Sequence, residues 1–238
     1  MAFYLVTGGC GFIGANLTQA LKAAGHSVRI LDDLSTGKKE NLPPDVELLV
    51  ASITDGEAVA QAMDGIDGCF HLASDASVIR SVSDWVGSHT VNMTGFIQVL
   101  DQAHRAADGP VPVVYASSAA VYGDAPRLPI SETAQPRPLS AYAADKVACE
   151  LHARVAGGLH AIPTFGLRFF NVYGPGQAAD ASSSGVVSIF ARNLLDDRPL
   201  TVYGDGSQVR DYVYVADACA FLTSAMERVG EDAPVGLF

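Results

Sequence analysis

The chain has 238 residues, of which 49% are hydrophobic and 17% are charged, and its formal net charge is −11. This composition excludes a mostly disordered chain and allows one large domain with a sizeable core. The acidic balance argues against general binding to nucleic acid or to an anionic membrane, and the apolar runs are too short to span one. The four cysteines are scattered without the spacing of a disulfide framework or a metal site, which favours a reducing cytoplasm and predicts no bound metal.

The first motif is a glycine-rich loop between a predicted strand, 2–6, and a predicted helix, 15–24. The loop reads Thr7-Gly8-Gly9-Cys10-Gly11-Phe12-Ile13-Gly14. Glycines at positions 8, 11 and 14 would allow a tight turn, the close approach of a pyrophosphate, and close packing of the helix on the strand. An ordinary strand-to-helix turn can also be rich in glycine, so the loop alone does not establish cofactor binding.

A second strand, predicted over 26–31, completes a βαβ unit and ends at Asp32 and Asp33. Asp32 lies eighteen positions after Gly14, close to the roughly 20 expected for the acid that binds the adenosine ribose. A carboxylate at this position would repel a 2′-phosphate, which favours NAD over NADP. The alternative, a solvated acid at a strand end, is less well supported because the glycine loop stands at the right distance.

The rest of the chain alternates between predicted strands and helices. Further strands are predicted over 46–50, 68–73, 111–116, 162–168 and 200–204, and a new one begins within 235–238. Helices are predicted over 56–63 with Asp55 as the cap, from 83 or 84 to about 103, from 140 to about 156, over 186–195, and up to about 228. Between them, the low-complexity segment 174–185 could be a linker or a lid. The alternation predicts an α/β, Rossmann-like fold with a doubly wound parallel sheet.

Tyr142 and Lys146 lie four positions apart in a predicted helix, so their side chains share one face. An ammonium group beside a phenol favours the phenolate and so produces a general base. Ser118, at the end of the fifth strand, is placed to hydrogen-bond the same substrate oxygen. Taken alone, the pair is more often a core aromatic with a snorkelling lysine. In a chain that also has a dinucleotide loop and a ribose-binding acid, the Tyr142–Lys146 pair indicates hydride transfer at a carbinol. His71 is expected to be a strand histidine with a satisfied hydrogen bond, and not a base.

These motifs, with others along almost the whole chain, resemble the extended short-chain dehydrogenase/reductases. Within them the chain is similar to the NAD-dependent epimerase/dehydratase family, typified by UDP-glucose 4-epimerase. The further matching stretches are Asp32-Asp33-Leu34-Ser35-Thr36-Gly37, Phe70-His71-Leu72-Ala73, Ser117 to Gly123, Tyr142 to Lys146, Arg168 to Pro175, Tyr203 to Gly206 and Arg210 to Val215.

The resemblance implies a set of site residues. The implied catalytic residues are Ser118, Tyr142 and Lys146, of which the last two also contact NAD. The other implied NAD contacts are Gly8, Gly11, Phe12, Ile13, Gly14, Asp32, Leu34, Ser35, Thr36, Gly37, Ser52, Ile53, Leu72, Ala73, Ser74 and Phe169. The implied substrate contacts are Ser118 at the sugar oxygen, Asn171 and Arg210 at the diphosphate, and Val187 and Tyr203 at the uracil. For Arg210, an ion pair with a neighbouring acid is a fair alternative.

The reaction that the resemblance implies is 4-epimerisation of a UDP-hexose. Tyr142 would take the proton from the sugar O4 while hydride passes from C4 to tightly held NAD, and hydride would return to the other face of the 4-keto sugar. Ala119 and Ala120 stand where sugar 4,6-dehydratases carry an Asp-Glu pair, which argues against elimination. Ser52 and Asp75-Ala76 depart from the usual residues at the cofactor. A UDP-glucuronate epimerase or decarboxylase is the alternative enzyme, and a non-catalytic NAD-binding regulator is the alternative of another class.

The expected organisation is an NAD-binding Rossmann domain over 1–171, on which helix 211–229 packs back, and a small substrate domain over 172–238. Family members run on for several dozen residues, so the substrate domain looks incomplete, and the sugar itself is not predicted. The resemblance also implies a homodimer built from the helices around 85–106 and 140–156, and the cysteines favour the cytoplasm as its location.

Overall fold

The computed structural model describes residues 1–179 and 184–229, and the backbone of Val235–Leu237. The strands are β1 Phe3–Thr7, β2 Ser27–Asp32, β3 Glu47–Val50, β4 Gly68–His71, β5 Val113–Ser118, β6 Thr164–Phe169, β7 Asn171–Tyr173, β8 Tyr212–Tyr214 and β9 Val235–Leu237. The α-helices are α1 Phe12–Ala23, α2 Gly56–Met63, α3 Val78–Ser83, α4 Trp85–His89, α5 Gly95–Arg105, α6 Ala141–His160, α7 Val186–Leu195 and α8 Val215–Val229. A π-helical turn, Thr90–Thr94, joins α4 to α5, and short 3₁₀ turns cover Lys39–Asn41 and Ala119–Tyr122.

The main sheet of the described chain has the strand order β3-β2-β1-β4-β5-β6-β9, and every pairing in it is parallel. The chain winds outward from β1 in one direction to β3 and then returns to continue from β4 in the other. The prediction of a doubly wound parallel sheet is therefore confirmed. The crevice between the ends of β1 and β4 is the place where open α/β sheets bind ligands.

Helices cover both faces of this sheet, and neighbouring strand residues belong to opposite core layers. Leu5 lies in the layer made with α2, α5 and α6, whereas Val6 lies in the layer made with α1 and α8. Cys69 and Phe70 on β4 divide in the same way, as the two-residue period of a strand requires. Burial on both faces explains why the central strands are almost continuously apolar.

Two details of the predicted elements differ from the structure. Residues 200–204 do not form a strand, because no strand of the described chain lies beside them to supply backbone partners. The helix predicted from 83 or 84 to about 103 is confirmed as one helical run, which α4, the π-helical turn and α5 form without a break, and it is preceded by a separate helix, α3, that was not predicted. Ser77 and Asp84 accept backbone N–H bonds at the starts of α3 and α4, and these local caps divide the segment.

Elsewhere, the structure contains regular secondary structure that the sequence pattern does not predict. Helix α1 begins at Phe12, three residues earlier than predicted, so that Phe12 to Gly14 form its first turn. The parallel pair β7 and β8 joins two segments about 40 residues apart, a spacing that local periodicity does not report. Residues 180–183 of the expected linker or lid, and Phe238 of the expected last strand, lie outside the described residues.

Candidate dinucleotide and active site

The glycine loop closes tightly against the end of β4. Gly8 has φ +69°, and a Cβ there would lie 2.6 Å from the backbone nitrogen of Ala73. A Cβ on Gly14 would overlap the carbonyl oxygen of Gly8. At Gly11, by contrast, a Cβ would meet only that same oxygen, at 3.3 Å, and otherwise enters open space. Gly8 and Gly14 are therefore required by the fold, whereas Gly11 leaves room on the side that a ligand would approach.

The first turn of α1 lacks the side-chain cap that begins α2, α3, α4 and α6. Its N-cap is Gly11, which offers no side-chain hydrogen bond, and the turn contains no acidic residue. The helices α2, α3, α4 and α6 are capped by the side chains of Asp55, Ser77, Asp84 and Ser140. Within the described part of the chain, no acceptor takes the backbone N–H groups of Phe12 and Ile13, which leaves them for a ligand. An uncapped, positively polarised helix N-terminus behind a glycine loop is suited to a pyrophosphate.

Asp32 lies at the end of β2 and holds the neighbouring loops in place. Its Oδ2 accepts the N–H of Cys10 at 2.9 Å, and its Oδ1 accepts the N–H of Leu34 at 2.8 Å. The carboxylate is only 7% exposed, and this burial raises its pKa above the ordinary value. Each oxygen keeps a lone pair free. Asp32 therefore fixes the glycine loop and can still accept hydrogen bonds from a ribose.

The remaining predicted cofactor residues surround this loop. Gly37 packs against Cys10 of the glycine loop, and this contact brings the segment from Leu34 to Gly37 beside that loop. Leu72 and Ala73 follow β4, where their backbone N–H groups bond to the carbonyl and the hydroxyl of Thr7. Ser52 bonds to Thr54 at the end of β3, and Ile53 is buried against Gly95. The structure therefore gathers these residues at the carboxyl edge of the sheet.

His71 is buried at the same edge and has a partner on β1. Its Nδ1 lies 2.9 Å from the hydroxyl of Thr7. Burial, followed by the positive charge of Lys146, lowers the pKa of His71 to about 3. The imidazole is therefore neutral at physiological pH, and its contact with Thr7 joins the ends of β1 and β4.

Tyr142 and Lys146 are one turn apart on α6, next to β5. Lys146 is 5% exposed, and its Nζ donates a 2.9 Å hydrogen bond to the carbonyl of Ala116. The same Nζ lies 5.7 Å from the centre of the Tyr142 ring. Ser118 lies two residues beyond Ala116 on the same face of β5, and its hydroxyl accepts the N–H of Ala120 at 3.2 Å. Lys146 therefore connects the helix that carries Tyr142 to the strand that ends at Ser118.

A buried ion pair, which the sequence pattern does not reveal, braces this crossing. Arg168 on β6 donates to both carboxylate oxygens of Glu150 on α6, at 2.8 and 2.7 Å. Ser117 donates to the same carboxylate at 2.6 Å, and Arg168 also donates to the hydroxyl of Tyr122 at 3.0 Å. The network ties α6 to β5 and β6. Phe169, a predicted cofactor contact, follows Arg168 and packs beside the core layer of α1 and α8.

Asn92 is a second polar residue that the sequence analysis missed. It lies in the π-helical turn and is 2% exposed. Its side-chain oxygen accepts bonds from the hydroxyl of Ser74 and the N–H of Asp75, and its amide donates to the carbonyl of Asp75. Asn92 therefore orders the loop after β4, where the resemblance places Ser74 against NAD. A polar residue inside an otherwise apolar helical pattern was its only sequence signal.

The predicted substrate residues are found on and around β7, α7 and β8, and none of them is on α6. Asn171 donates from its side chain to the carbonyl of Asp211 at 2.7 Å and so joins β7 to β8. Val187 is on α7, and Tyr203 is 84% exposed in an irregular segment. Arg210 donates to the carbonyl of Val209 and, among the described residues, has no carboxylate partner. Within the same residues, no hydrogen bond or ion pair connects these four side chains to Tyr142 or Lys146.

Two other features, a membrane-spanning helix and a metal-binding cluster, are absent from the described residues. None of their helices is long and apolar enough to cross a bilayer. Nor do their histidine, cysteine and acidic side chains form a group of three or more that could hold a metal ion. The donor set that is present, an uncapped helix N-terminus, a glycine cradle and a ribose-side carboxylate, fits a dinucleotide.

The fold and the glycine loop define a dinucleotide-binding α/β protein, and comparisons with known proteins agree with that class. The model of the NAD dependent epimerase/dehydratase family matches residues 4–236. The UDP-glucose 4-epimerase of Mycolicibacterium smegmatis is 40% identical over 220 residues, which cover 90% of this chain and 69% of that protein. The chain therefore belongs to the NAD-dependent epimerase/dehydratase family, as the resemblance predicted.

Solved structures show the same relationship. The UDP-glucose 4-epimerase of Thermus thermophilus, in complex with NAD, superimposes with a TM-score of 0.90 at 38% identity, covering 99% of this chain and 76% of that one. The UDP-N-acetylglucosamine 4-epimerase of Methanobrevibacter ruminantium, in complex with UDP-N-acetylmuramic acid, superimposes with a TM-score of 0.92 at 31% identity, covering 99% and 75%. The family and its NAD-bound member confirm the predictions of NAD as cofactor and of an enzyme of the sugar-nucleotide epimerase class.

Proposed function

We propose that this chain inverts C4 of a UDP-hexose by transient oxidation at that carbon. The observation that carries the proposal is the placement of Lys146, whose buried Nζ is fixed by the carbonyl of Ala116 and lies 5.7 Å from the Tyr142 ring. A snorkelling surface lysine would leave its ammonium group in water. A buried ammonium beside a phenol, next to a dinucleotide loop, instead supports proton transfer at a carbinol.

The chain's own residues would divide the chemistry among them. Tyr142 would remove the proton from the sugar O4 and return it later, acting first as base and then as acid. Lys146 would keep its positive charge beside the ring of that base. Ser118 would hold the same sugar oxygen by a hydrogen bond, since its hydroxyl already accepts from Ala120 and keeps its own proton to donate. Hydride acceptance and return at C4 is the chemistry that bound NAD supplies.

Holding the cofactor would fall to the glycine loop and the loops around it. The N–H groups at the start of α1 would bind the pyrophosphate, and Asp32 would accept from the adenosine ribose. Lys146 would hold the nicotinamide ribose. A cofactor held this firmly suits a cycle in which it returns to its starting state, and the uncapped α1 terminus supports that role.

Elimination is the competing reaction on the same intermediate, and the site offers it no acid after Ser118. Ala119 and Ala120 follow it in the 3₁₀ turn, where neither side chain can protonate a leaving hydroxyl. Epimerisation needs no third group, because the sugar only has to present its other face. This difference supports an epimerase over a dehydratase.

We also propose that residues 1–171, together with α8, form the cofactor domain, and that 172–238 contribute to the substrate domain. Helix α8 packs on α1, β5 and β6, which supports its place in the first unit. Asn171 and Arg210 would bind the diphosphate, and Val187 and Tyr203 would contact the uracil. All four side chains are exposed, which supports their access to a substrate.

A homodimer through α5 and α6 is part of the proposal. Both helices expose apolar side chains, namely Ile97, Leu151, Val155 and Leu159, which are 40–74% accessible in the single chain. A contiguous exposed apolar face of this kind is typical of a protein interface. The four free, buried thiols support a reducing cytoplasm as the location. Light scattering would test the oligomeric state, and a monomer at micromolar concentration would contradict it.

The substrate assignment is tested by incubating the protein with UDP-galactose, UDP-N-acetylgalactosamine and UDP-glucuronate in separate reactions. We expect the 4-epimer of one of the first two to form, as resolved by chromatography of the sugar nucleotides. Carbon dioxide release from UDP-glucuronate would instead indicate a decarboxylase. Bound NAD without turnover of any of the three would favour a regulator.

A further inference from the structure

Asp145 lies between Tyr142 and Lys146 in the sequence and is almost fully buried, at 5% exposure. Its Oδ1 is 2.7 Å from Nδ1 of His89, at the end of α4. Its Oδ2 is buried and has no hydrogen-bond partner among the described residues. An interior carboxylate depends strongly on the partners it has. His89 is therefore the contact that holds this carboxylate, and His89 itself is half exposed.

The same histidine begins a chain of contacts that reaches the cofactor side of the site. Three residues after His89, the amide of Asn92 holds Ser74 and Asp75 after β4. One turn after Asp145, the thiol of Cys149 donates to the carbonyl of Asn92 at 3.4 Å. Two successive turns of α6 are thus fastened to the segment that also orders the loop after β4.

We propose that His89 and Asp145 are positioning residues for the Tyr142–Lys146 pair. Their contact fixes the first turns of α6 against α4, and so sets the distance between the base on α6 and the loop after β4. This inference rests on the proposed epimerase function. A shift of about 1 Å at a catalytic group can cost about 100-fold in rate, so that a tether outside the reacting centre can control kcat.

The test compares His89→Ala, His89→Asn and His160→Ala in the full chain. The asparagine amide places a donor near the position of Nδ1, whereas alanine leaves Asp145 without its partner. His160, at the far end of α6, is an exposed histidine whose described ring contact is with His104. We expect His89→Ala to lower kcat about 10- to 100-fold with KM within about twofold. We expect His89→Asn to recover most of kcat, and His160→Ala to match the wild type.

A purely structural role would lower the melting temperature of His89→Ala while kcat per folded site stayed unchanged, and that result would overturn the proposal. Failure of a folded His89→Asn to recover kcat would overturn it as well. If His89→Ala does not fold, the double variant His89→Ala/Asp145→Asn leaves no unpaired buried charge and takes its place. The double variant should fold and keep the low kcat, whereas a wild-type kcat would contradict the positioning role of the His89–Asp145 contact.

Turnover by the wild type separates this inference from the proposed function. If the wild type converts no sugar nucleotide, the epimerase assignment fails. The positioning role of the His89–Asp145 contact is then tested by the rates of amide hydrogen exchange over 141–147. We then expect faster exchange in His89→Ala and wild-type exchange in His89→Asn. Equal exchange rates in the wild type and both variants would overturn the positioning role.

Discussion

Replacing Gly11 by alanine separates cofactor binding from folding at the glycine loop. Gly11 has φ −77° and ψ 179°, an extended conformation that alanine adopts without strain. The new Cβ would lie 3.3 Å from the carbonyl of Gly8, so that a shift of a few tenths of an ångström accommodates it. We expect a loss of stability of at most about 1 kcal/mol, the usual cost of alanine at an N-cap. That corresponds to a fall in melting temperature of about 2–4 °C.

The effect on the affinity for NAD should be much larger, because the methyl group enters the space that a ligand of the Phe12 and Ile13 N–H groups would occupy. Losing one hydrogen bond to a charged group costs about 1.5–3 kcal/mol. Since each 1.4 kcal/mol is about tenfold, the dissociation constant should rise about 10- to 100-fold.

Calorimetric titration of NAD into protein stripped of nucleotide measures this effect, with a thermal melt of each sample. Gly158→Ala is the matched control, because Gly158 lies within α6 and a Cβ there meets nothing within 4 Å. We expect the control to bind NAD like the wild type and to be as stable or more so. If Gly11→Ala bound NAD within twofold of the wild type, the pyrophosphate could not lie against this turn.

Three further outcomes follow from buried groups. Glu150→Ala leaves the guanidinium of Arg168 without its carboxylate, and calorimetry should show a loss of about 3–5 kcal/mol; a change under about 1 kcal/mol would contradict the bracing role. His71 has a pKa of about 3 when folded against roughly 6.5 when unfolded, so that the unfolded state binds the extra proton between these values. Stability should therefore fall by up to about 1.4 kcal/mol per pH unit as pH drops from about 6.5, and His71→Gln should flatten that slope in denaturant titrations. Burial raises the pKa of all four thiols, to about 11 for Cys149 and Cys219, so that iodoacetamide at about pH 7.5 should label none of them before denaturation.

The parts of the fold that local chemistry specifies could be predicted from the sequence. The predicted helix 56–63 matches α2 at both ends, because Asp55 accepts the N–H groups of Glu57 and Ala58, as a cap should. Helix α7 also matches its predicted range, 186–195. The start of α1 was misplaced, because Phe12 and Ile13 read as part of the glycine loop although they form the first helical turn.

Contacts between distant segments could not be predicted in this way. The strand predicted over 200–204 is wrong although its residues are strand formers, since a strand exists only where another lies beside it. His89 and Asp145 are 56 residues apart, and only the packing of α4 on α6 shows that they touch. In the candidate site, Gly8, Asp32 and Tyr142 belong to motifs with fixed spacing, whereas Glu150 and Asn92 act through the tertiary structure alone.

The fate of the hydrogen at C4 tests transient oxidation most directly. The protein would be incubated with its UDP-hexose carrying deuterium at C4 in ordinary water, and both epimers would be analysed by mass spectrometry and proton NMR. We expect the deuterium to remain at C4 of both epimers, with turnover lost in Tyr142→Phe. Exchange of that deuterium for solvent hydrogen would contradict the mechanism, because it would mean that C4 is inverted by proton abstraction and not by hydride return.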